Sequence, residues 1–265
     1  MSPPAVIPKI GRWWWLAVAS FLVCLLVLAP AALIEWAVRQ SPNQTVQFIA
    51  DSGTIWAGRG RITVAADPSP LVLPVVWRFD ARALLDLRIG FFIAANAPAL
   101  SGSTRIASRF GDIQLRETSF SADARLSTIA HRAATLFAPT GRIRLQQTGD
   151  QRFVMRPATS ATQVWRVDGM MGLQAEQLAL GGLVSAPVGN HEISLQGDGA
   201  TVKMTVLRSS GPLKLEGSGA LTLVSPRRFA FSGFATVAGD APDILKQLGP
   251  ILPDGRQRIE LNTTW

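Results

Sequence analysis

The sequence predicts a mainly β protein in which one apolar N-terminal helix precedes an antiparallel, curved β-sheet or a sandwich-like domain. Three observations lead to this fold class. Residues 13–34 carry no charge, the rest of the chain alternates apolar and polar residues in short runs, and Gly, Asp, Asn or Pro separates these runs. Such alternation is typical of strands that bury one face. We therefore divide the chain into a tail (residues 1–12), a helix (13–38) and a β-rich domain (39–265).

The uncharged segment predicts a single-pass transmembrane helix, because a helix of about 20 residues crosses the hydrocarbon core of a bilayer. Tryptophans flank the segment, where aromatic belts form at membrane interfaces. They are Trp13, Trp14, Trp15 and Trp36. Lys9 and Arg12 precede the segment and no acid does, so the positive-inside rule places residues 1–12 in the cytoplasm. The β-rich domain is then expected on the opposite side of the membrane from this tail.

A cleaved signal peptide is the alternative for the same segment. Ala29-Pro30-Ala31 fits the small-x-small pattern that precedes a cleavage site. The apolar run is longer than the apolar core of a signal peptide, which spans roughly 7–15 residues. This length favours an uncleaved anchor.

The β-rich domain is predicted from runs such as Val202-Lys203-Met204-Thr205-Val206, in which apolar and polar side chains would point to opposite faces. The other predicted strands cover residues 61–64, 75–79, 112–118, 142–147, 165–167, 192–195, 213–216, 221–224, 229–234 and 258–262. Glycines precede several of these runs, which indicates a long meander whose strands are entered through Gly turns.

Two short helices are expected between the strands. Residues 127–137 are rich in Ala and end before Pro139, whereas residues 242–248 begin with Pro and are followed by Gly249. Proline at the start of a helix and glycine just past its end are typical boundary residues.

The residue content weighs against catalysis and against bound cofactors or metals. The chain has one cysteine, Cys24, and two histidines, His131 and His191, and it lacks the patterns of phosphate loops, serine hydrolases and zinc proteases. We expect both histidines to pack or to lie at the surface. Two acid pairs begin loops or short helices, where capping explains them. They are Asp80 with Asp86 and Asp240 with Asp243. An enzyme that acts on envelope polymers stays a remote alternative.

The charge pattern concerns possible partners. The formal net charge is +8, and the basic residues are mostly arginines scattered along the chain. Scattered arginines without a dense cluster argue against nucleic-acid binding. Anionic lipid headgroups or acidic protein partners explain the basic excess better.

Several blocks of residues resemble a known family. Residues 52–58 read Ser-Gly-Thr-Ile-Trp-Ala-Gly, a Trp-containing strand and a Leu-Leu pair follow, and glycine-rich blocks lie towards the C-terminus. The residues that carry the match are Gly53, Thr54, Trp56, Gly58, Trp77, Leu84, Leu85, Gly211, Pro212, Leu213, Gly217, Gly219, Gly233, Gly249 and Gly255. Combined with the N-terminal anchor, these blocks make the chain similar to protein N of the bacterial type II secretion system.

The resemblance implies a non-catalytic inner-membrane protein with its bulk in the periplasm, which supports the export of folded proteins across the outer membrane. Its partners would be the inner membrane and other subunits of the secretion system, and no cofactor is implied. The matched residues are expected to define the fold, with Trp56 buried in the sheet core and Trp77 on one strand face with Val75 and Phe79. The alternative is an anchored periplasmic protein whose apolar β-groove binds or transfers lipid.

Overall fold

The computed structural model describes residues 13–40, 46–64, 70–126, 139–147, 152–157, 165–180, 184–238 and 249–264. Two α-helices, α1 (Trp13–Val27) and α2 (Ala32–Arg39), precede the strands. The strands are β1 (Val46–Gly53), β2 (Ala57–Val64), β3 (Leu71–Phe79), β4 (Ile89–Asn96), β5 (Leu100–Arg109), β6 (Asp112–Asp123), β7 (Pro139–Gln146), β8 (Phe153–Pro157), β9 (Trp165–Leu180), β10 (Val184–Gly199), β11 (Thr201–Ser210), β12 (Leu213–Thr222), β13 (Arg228–Val237) and β14 (Gln257–Thr264).

These strands form one 14-stranded antiparallel sheet, which confirms the predicted mainly β class. Strands that follow one another in the chain are hydrogen-bonded neighbours from β1 to β7 and from β9 to β14. Strand β7 also pairs with β9, and the short β8 pairs with β6 and β9. Short 3-10 helices follow β3 and β6, at Ala81–Asp86 and Ala124–Leu126. The helices predicted over residues 127–137 and 242–248 lie outside the described residues.

The prediction of one uninterrupted helix over residues 13–38 is wrong, because α1 ends at Val27 and α2 begins at Ala32. Pro30 has no backbone N–H and cannot continue the helical hydrogen bonds. It instead forms an isolated antiparallel bridge with Thr54. None of the helices in the described residues has both the length and the apolar character that spanning a bilayer requires.

The strand register places most large apolar side chains of the described strands on one face of the sheet. In β3, Leu73, Val75 and Trp77 are buried on one face, whereas Val72 and Val76 on the opposite face are nearly half exposed. Cross-strand pairs continue the first face through every strand. Among the residues of this apolar face are Phe48, Ile62, Leu73, Val75, Trp77, Ile93, Ile106, Leu115, Leu145, Met155, Leu173, Leu195, Met204, Leu215, Phe231 and Ile259.

The opposite face carries many of the arginines. They include Arg59, Arg61, Arg78, Arg105, Arg116, Arg144, Arg156, Arg166, Arg208, Arg228 and Arg258. Several pair with acids beside them, as Arg61 does with Asp51 at 2.8 Å and Arg144 with Glu176 at 3.0 Å. Exposed pairs of this kind each contribute about 0–1 kcal/mol, so they solvate this face more than they stabilise it.

The apolar face forms a buried core in the C-terminal strands. Val188, Leu213, Ala235 and Ile259 pack together, one from each of β10, β12, β13 and β14. Partly buried apolar residues surround this cluster. They are Leu178, Leu215, Phe231, Val237 and Ala238.

Candidate functional site: the helix–sheet junction

The turn between β1 and β2 contains the first family block and is built around Thr54. Its hydroxyl oxygen accepts hydrogen bonds from the backbone N–H groups of Trp56 at 3.2 Å and Ala57 at 3.3 Å. The backbone N–H of Thr54 donates to the carbonyl of Ala57 at 2.8 Å. A threonine hydroxyl can satisfy turn N–H groups in this way. The Thr54 side chain therefore holds the turn that positions Trp56.

Two glycines of the same block allow the close approach of neighbouring chains. Gly53 has a φ of +104°, which disfavours any side chain, and a Cβ there would overlap the carbonyl oxygen of Ala57. A Cβ at Gly58 would lie 2.5 Å from the indole ring of Trp77. Both positions are therefore restricted to glycine by their neighbours.

The two tryptophans of the motif have different environments. Trp77 is buried, its ring lies 5.5 Å from that of Phe48, and its indole N–H donates to the carbonyl of Thr54 at 3.2 Å. The prediction that Trp56 is buried in the sheet core is wrong, because this residue is only half-buried, with its ring 5.2 Å from that of Phe79. The indole N–H of Trp56 donates to the carbonyl of Leu26 at 2.8 Å, in the last turn of α1. Trp56 therefore connects the apolar helix to the sheet.

The segment between the two helices completes this connection. Ala29 and Ala31 are buried, Ile55 N–H donates to the carbonyl of Ala29 at 2.9 Å, and Ala31 N–H donates to that of Gly53 at 3.1 Å. The break between α1 and α2 thus continues the pairing of the β1–β2 turn, and we call these contacts, with those of Trp56 and Trp77, the helix–sheet junction. In the sequence, Ala29-Pro30-Ala31 fits a cleavage pattern. In the structure, Pro30 of this segment pairs with Thr54, which lies more than twenty residues further along the chain.

Helix α2 packs beside the edge of β1. The carboxylate of Glu35 accepts a hydrogen bond from the backbone N–H of Ala50 at 3.1 Å and pairs with Arg39 at 2.5 Å. An exposed strand edge is a template for unwanted pairing. Glu35 therefore covers part of the outer edge of the sheet at its first strand.

The Leu-Leu pair of the motif lies in the connection between β3 and β4. Asp80 caps the 3-10 helix at Ala81–Asp86 by accepting from the backbone N–H of Arg82 at 3.1 Å, as its predicted capping role requires. Leu84 and Leu85 of this helix are exposed, as are Leu87 and Ile89 just beyond it. Phe110, in the β5–β6 turn, is also exposed. We call Leu84, Leu85, Leu87, Ile89 and Phe110 the apolar rim.

The carboxylate of Asp86 borders the apolar rim and is paired with a strand residue. Arg116 donates a hydrogen bond to it at 2.6 Å, and this bond lowers the pKa of Asp86 below its ordinary value. The sequence predicted only Leu84 and Leu85 among the rim residues. The sequence held a signal for the other rim residues of this connection, because Leu87 and Ile89 continue the Leu84-Leu85 pair beside arginines. Phe110 joins the rim only through strand pairing.

The C-terminal motif residues support strand packing far from the junction. Leu213 is buried in the C-terminal core, and the carbonyl of Pro212 accepts from the backbone N–H of Ala238 at 2.8 Å. Gly217 and Gly233 are directly paired across β12 and β13. The remaining glycines lie in the β11–β12 turn, in β12 and in the segment before β14. They are Gly211, Gly219, Gly249 and Gly255.

The interface tryptophans lie in the two helices, where Trp14, Trp15 and Trp36 are exposed and Trp13 is the first residue of α1. The exposed Trp14, Trp15 and Trp36 take no part in the helix–sheet contacts described above. Trp56, which holds α1 on the sheet, comes instead from the β1–β2 turn.

One buried polar pair has the same residue types as a catalytic serine–histidine pair. The Nδ1 atom of His191 lies 2.8 Å from the hydroxyl oxygen of Ser209, and that oxygen accepts from the backbone N–H of Leu215 at 2.7 Å. His191 is buried, which lowers its pKa by disfavouring the charged imidazolium. The serine oxygen is thus engaged in strand packing. The described residues contain no group of three or more side chains arranged to hold a metal ion.

Comparison with known proteins identifies the family. The family model for protein N of the type II secretion system matches residues 45–260, which include the β1–β2 turn, the apolar rim and the C-terminal glycine blocks. Helices α1 and α2 precede the matched region. Searches among curated proteins and among solved structures find no match. Because the family model covers most of the chain, this protein belongs to the type II secretion system protein N family.

Proposed function

We propose that this chain is a non-catalytic, membrane-anchored component of the type II secretion machinery that supports the export of folded periplasmic proteins across the outer membrane. In this proposal, residues 1–12 are cytoplasmic, α1 enters the inner membrane, and the sheet lies in the periplasm. The family match over residues 45–260 carries the proposal. The helix–sheet junction adds a physical argument, because it fixes the apolar helix to the sheet.

The surface of α1 supports the anchoring part of the proposal. The helix contains no charged residue, and its large side chains are exposed, including those of Leu16, Phe21 and Leu25. A helix that is apolar on all sides requires apolar surroundings. Lipid chains supply such surroundings over the length of α1 and the residues beside it.

The last strand supports a role in assembly. Among the described strands, β14 is paired only with β13, and the edge beyond Arg258 has no backbone partner within the described residues. A free edge can accept a strand from another subunit by backbone hydrogen bonding. We propose that other subunits of the secretion system dock here.

A deletion strain tests the proposed function. Removal of the gene should reduce the amounts of exported enzymes in the medium and retain them in the periplasm, and the intact gene should restore export. A photo-crosslinking residue at Asn262, on the free edge, should capture a secretion subunit. The matched control is a crosslinker at Gln47, on β1 at the opposite edge of the sheet, which should capture no secretion subunit. Unchanged export together with no captured subunit would refute the proposal.

One observation favours a second candidate function, the binding of lipid by the apolar face. That face continues through all 14 strands, and most of its residues outside the C-terminal core are only partly buried. Partly buried apolar surface of this extent suits an acyl chain. Native mass spectrometry of the full chain from detergent should then detect co-purified phospholipid. Replacing Met204 by Lys should remove it, whereas replacing Thr205, on the opposite face, by Lys should not.

A further inference from the structure

The apolar rim concentrates exposed apolar surface at one end of the sheet. Phe110 is 94% exposed, Leu85 88% and Leu87 73%, and these are the three highest values among large apolar side chains of the described residues outside α1 and α2. Leu84 and Ile89 are also more than half exposed. A contiguous apolar patch on a folded domain marks an interaction surface, whereas apolar residues that are exposed singly are ordinary.

Strand pairing places the rim at the end of the sheet from which α1 extends. Gly53 at the end of β1 pairs with Gly58, and the Trp56 carbonyl between them accepts from Phe79 N–H at 2.6 Å, at the end of β3. The next residue, Asp80, donates its backbone N–H to the carbonyl of Gly90 at 2.8 Å. In β4, Gly90 pairs with Ala107 of β5, and Phe110 follows that strand. The β1–β2 turn, the β3–β4 connection and the β5–β6 turn therefore share one end of the sheet.

The last turn of α1 reaches the same end through Trp56, which holds the Leu26 carbonyl. The helix and the rim are thus linked through a continuous series of contacts, from Leu26 to Trp56 and from Trp56 to Phe79. If α1 enters a bilayer, the rim lies near the surface of that bilayer. The continuity of the rim with the helix therefore indicates that the rim contacts the same bilayer.

Arginines accompany the apolar side chains. Arg82 and Arg109 are exposed, and the guanidinium of Arg109 lies 5.3 Å from the centre of the Phe110 ring. Neither arginine forms an ion pair within the described residues. The nearby acids are neutralised, because Asp86 pairs with Arg116 and Asp112 with Arg156. Exposed apolar side chains beside such arginines match the boundary between acyl chains and anionic headgroups.

We propose that the apolar rim is a membrane-contact surface that rests on the bilayer holding α1, with Leu85, Leu87 and Phe110 at the headgroup–acyl boundary and with Arg82 and Arg109 on anionic headgroups. This inference rests on the proposed anchoring of α1. It assigns the exposed Leu-Leu pair of the family motif a contact role. It also sets the orientation of the sheet, whose strands would rise away from the membrane.

Fluorescent labels on single cysteines test this contact in the full chain, reconstituted in vesicles of phosphatidylethanolamine and phosphatidylglycerol. A label on the native Cys24 reports on α1. In a Cys24→Ser background, Leu85→Cys or Phe110→Cys reports on the rim. Val72→Cys is the control, because Val72 is exposed but lies about 23 Å from Phe79 along β3. Lipids with a spin label near the headgroup quench labels that touch the bilayer.

We expect severalfold stronger quenching at positions 85 and 110 than at position 72. Quenching at position 24 without quenching at positions 85 and 110 would overturn the rim contact and leave the anchoring of α1 intact. Equal quenching at position 72 would also overturn it, because the sheet would then lie along the membrane. Absence of quenching at position 24 would refute the anchoring itself, and the rim contact with it.

Charge reversal separates headgroup attraction from nonspecific adhesion. The double change Arg82→Glu and Arg109→Glu should lower quenching at position 85 severalfold in vesicles that contain phosphatidylglycerol. Arg142→Glu with Arg208→Glu is the matched control, because it changes the net charge equally at exposed positions far from the rim. Equal loss in both variants would overturn the role of the rim arginines.

Discussion

The junction end of the sheet and its C-terminal strands bury the same apolar face by different means. At the junction, aromatic rings pack edge to face and their indole N–H groups bond to backbone carbonyls, as Trp77 does with Phe48 and Thr54. In the C-terminal strands, aliphatic side chains such as Leu213 and Ile259 pack without polar partners. The difference indicates that the directional side-chain bonds of the junction specify a geometry, whereas the C-terminal cluster contributes mainly through apolar burial.

The largest expected effect comes from removing the central aromatic residue of the junction. Trp77→Ala should lower the free energy of unfolding by about 3–5 kcal/mol, because it leaves a cavity beside Phe48 and leaves the Thr54 carbonyl unpaired. Denaturant unfolding of the full chain in detergent measures this loss. Val76→Ala, on the exposed face of the same strand, is the control and should cost far less. Similar losses in both variants would show that the junction has no special packing.

The next effect compares glycines of the two regions. Gly53→Ala should cost about 3 kcal/mol, because the residue must keep a positive φ and its Cβ meets the Ala57 carbonyl. Gly255→Ala also places a side chain at positive φ, but nothing lies within 4 Å, so about 1 kcal/mol is expected. Thermal unfolding of both variants measures the difference. A cost at Gly255 that equals the cost at Gly53 would contradict the steric argument.

A smaller effect isolates the bond between the helix and the sheet. Trp56→Phe keeps an aromatic ring against Phe79 and removes the donor to Leu26, at a cost of about 1 kcal/mol. Hydrogen exchange should then increase in residues 26–31 and stay unchanged in the C-terminal core. Phe231→Leu is the control, because Phe231 lies in β13, away from the break between the helices. Uniform exchange changes in both variants would argue against a local connection.

The smallest effect concerns pH and the C-terminal strands. Burial lowers the pKa of His191 in the folded chain below its ordinary value of 6.5. The unfolded chain therefore binds the proton more readily, so stability is complete above pH 6.5 and falls as the pH decreases towards the lowered pKa. His191→Gln should remove this part of the pH dependence in unfolding experiments. An unchanged pH profile would mean that other groups cause it.

Local pattern predicted the class of the fold but not its contacts. Alternation in residues 202–206 identified β11, because side-chain direction in a strand depends only on neighbouring residues. The helix prediction over residues 13–38 relied on hydropathy and considered Pro30 only as part of a cleavage pattern, although the local effect of a proline on a helix was predictable. The rim was predicted only in part, because Phe110 is twenty-five positions from Leu85 and meets the same end of the sheet through β4–β5 pairing.

The sequence by itself determined that this chain forms strands with one apolar face, and its glycine and tryptophan blocks were sufficient to indicate the family. Both properties depend on residues that are adjacent or nearly adjacent in the chain. Only the tertiary structure decided that Trp56 bonds to Leu26, that Glu35 covers the edge of β1, and that the rim lies beside α1. These contacts join residues separated by 15 to 30 positions, and the register of the intervening strands determines whether they meet.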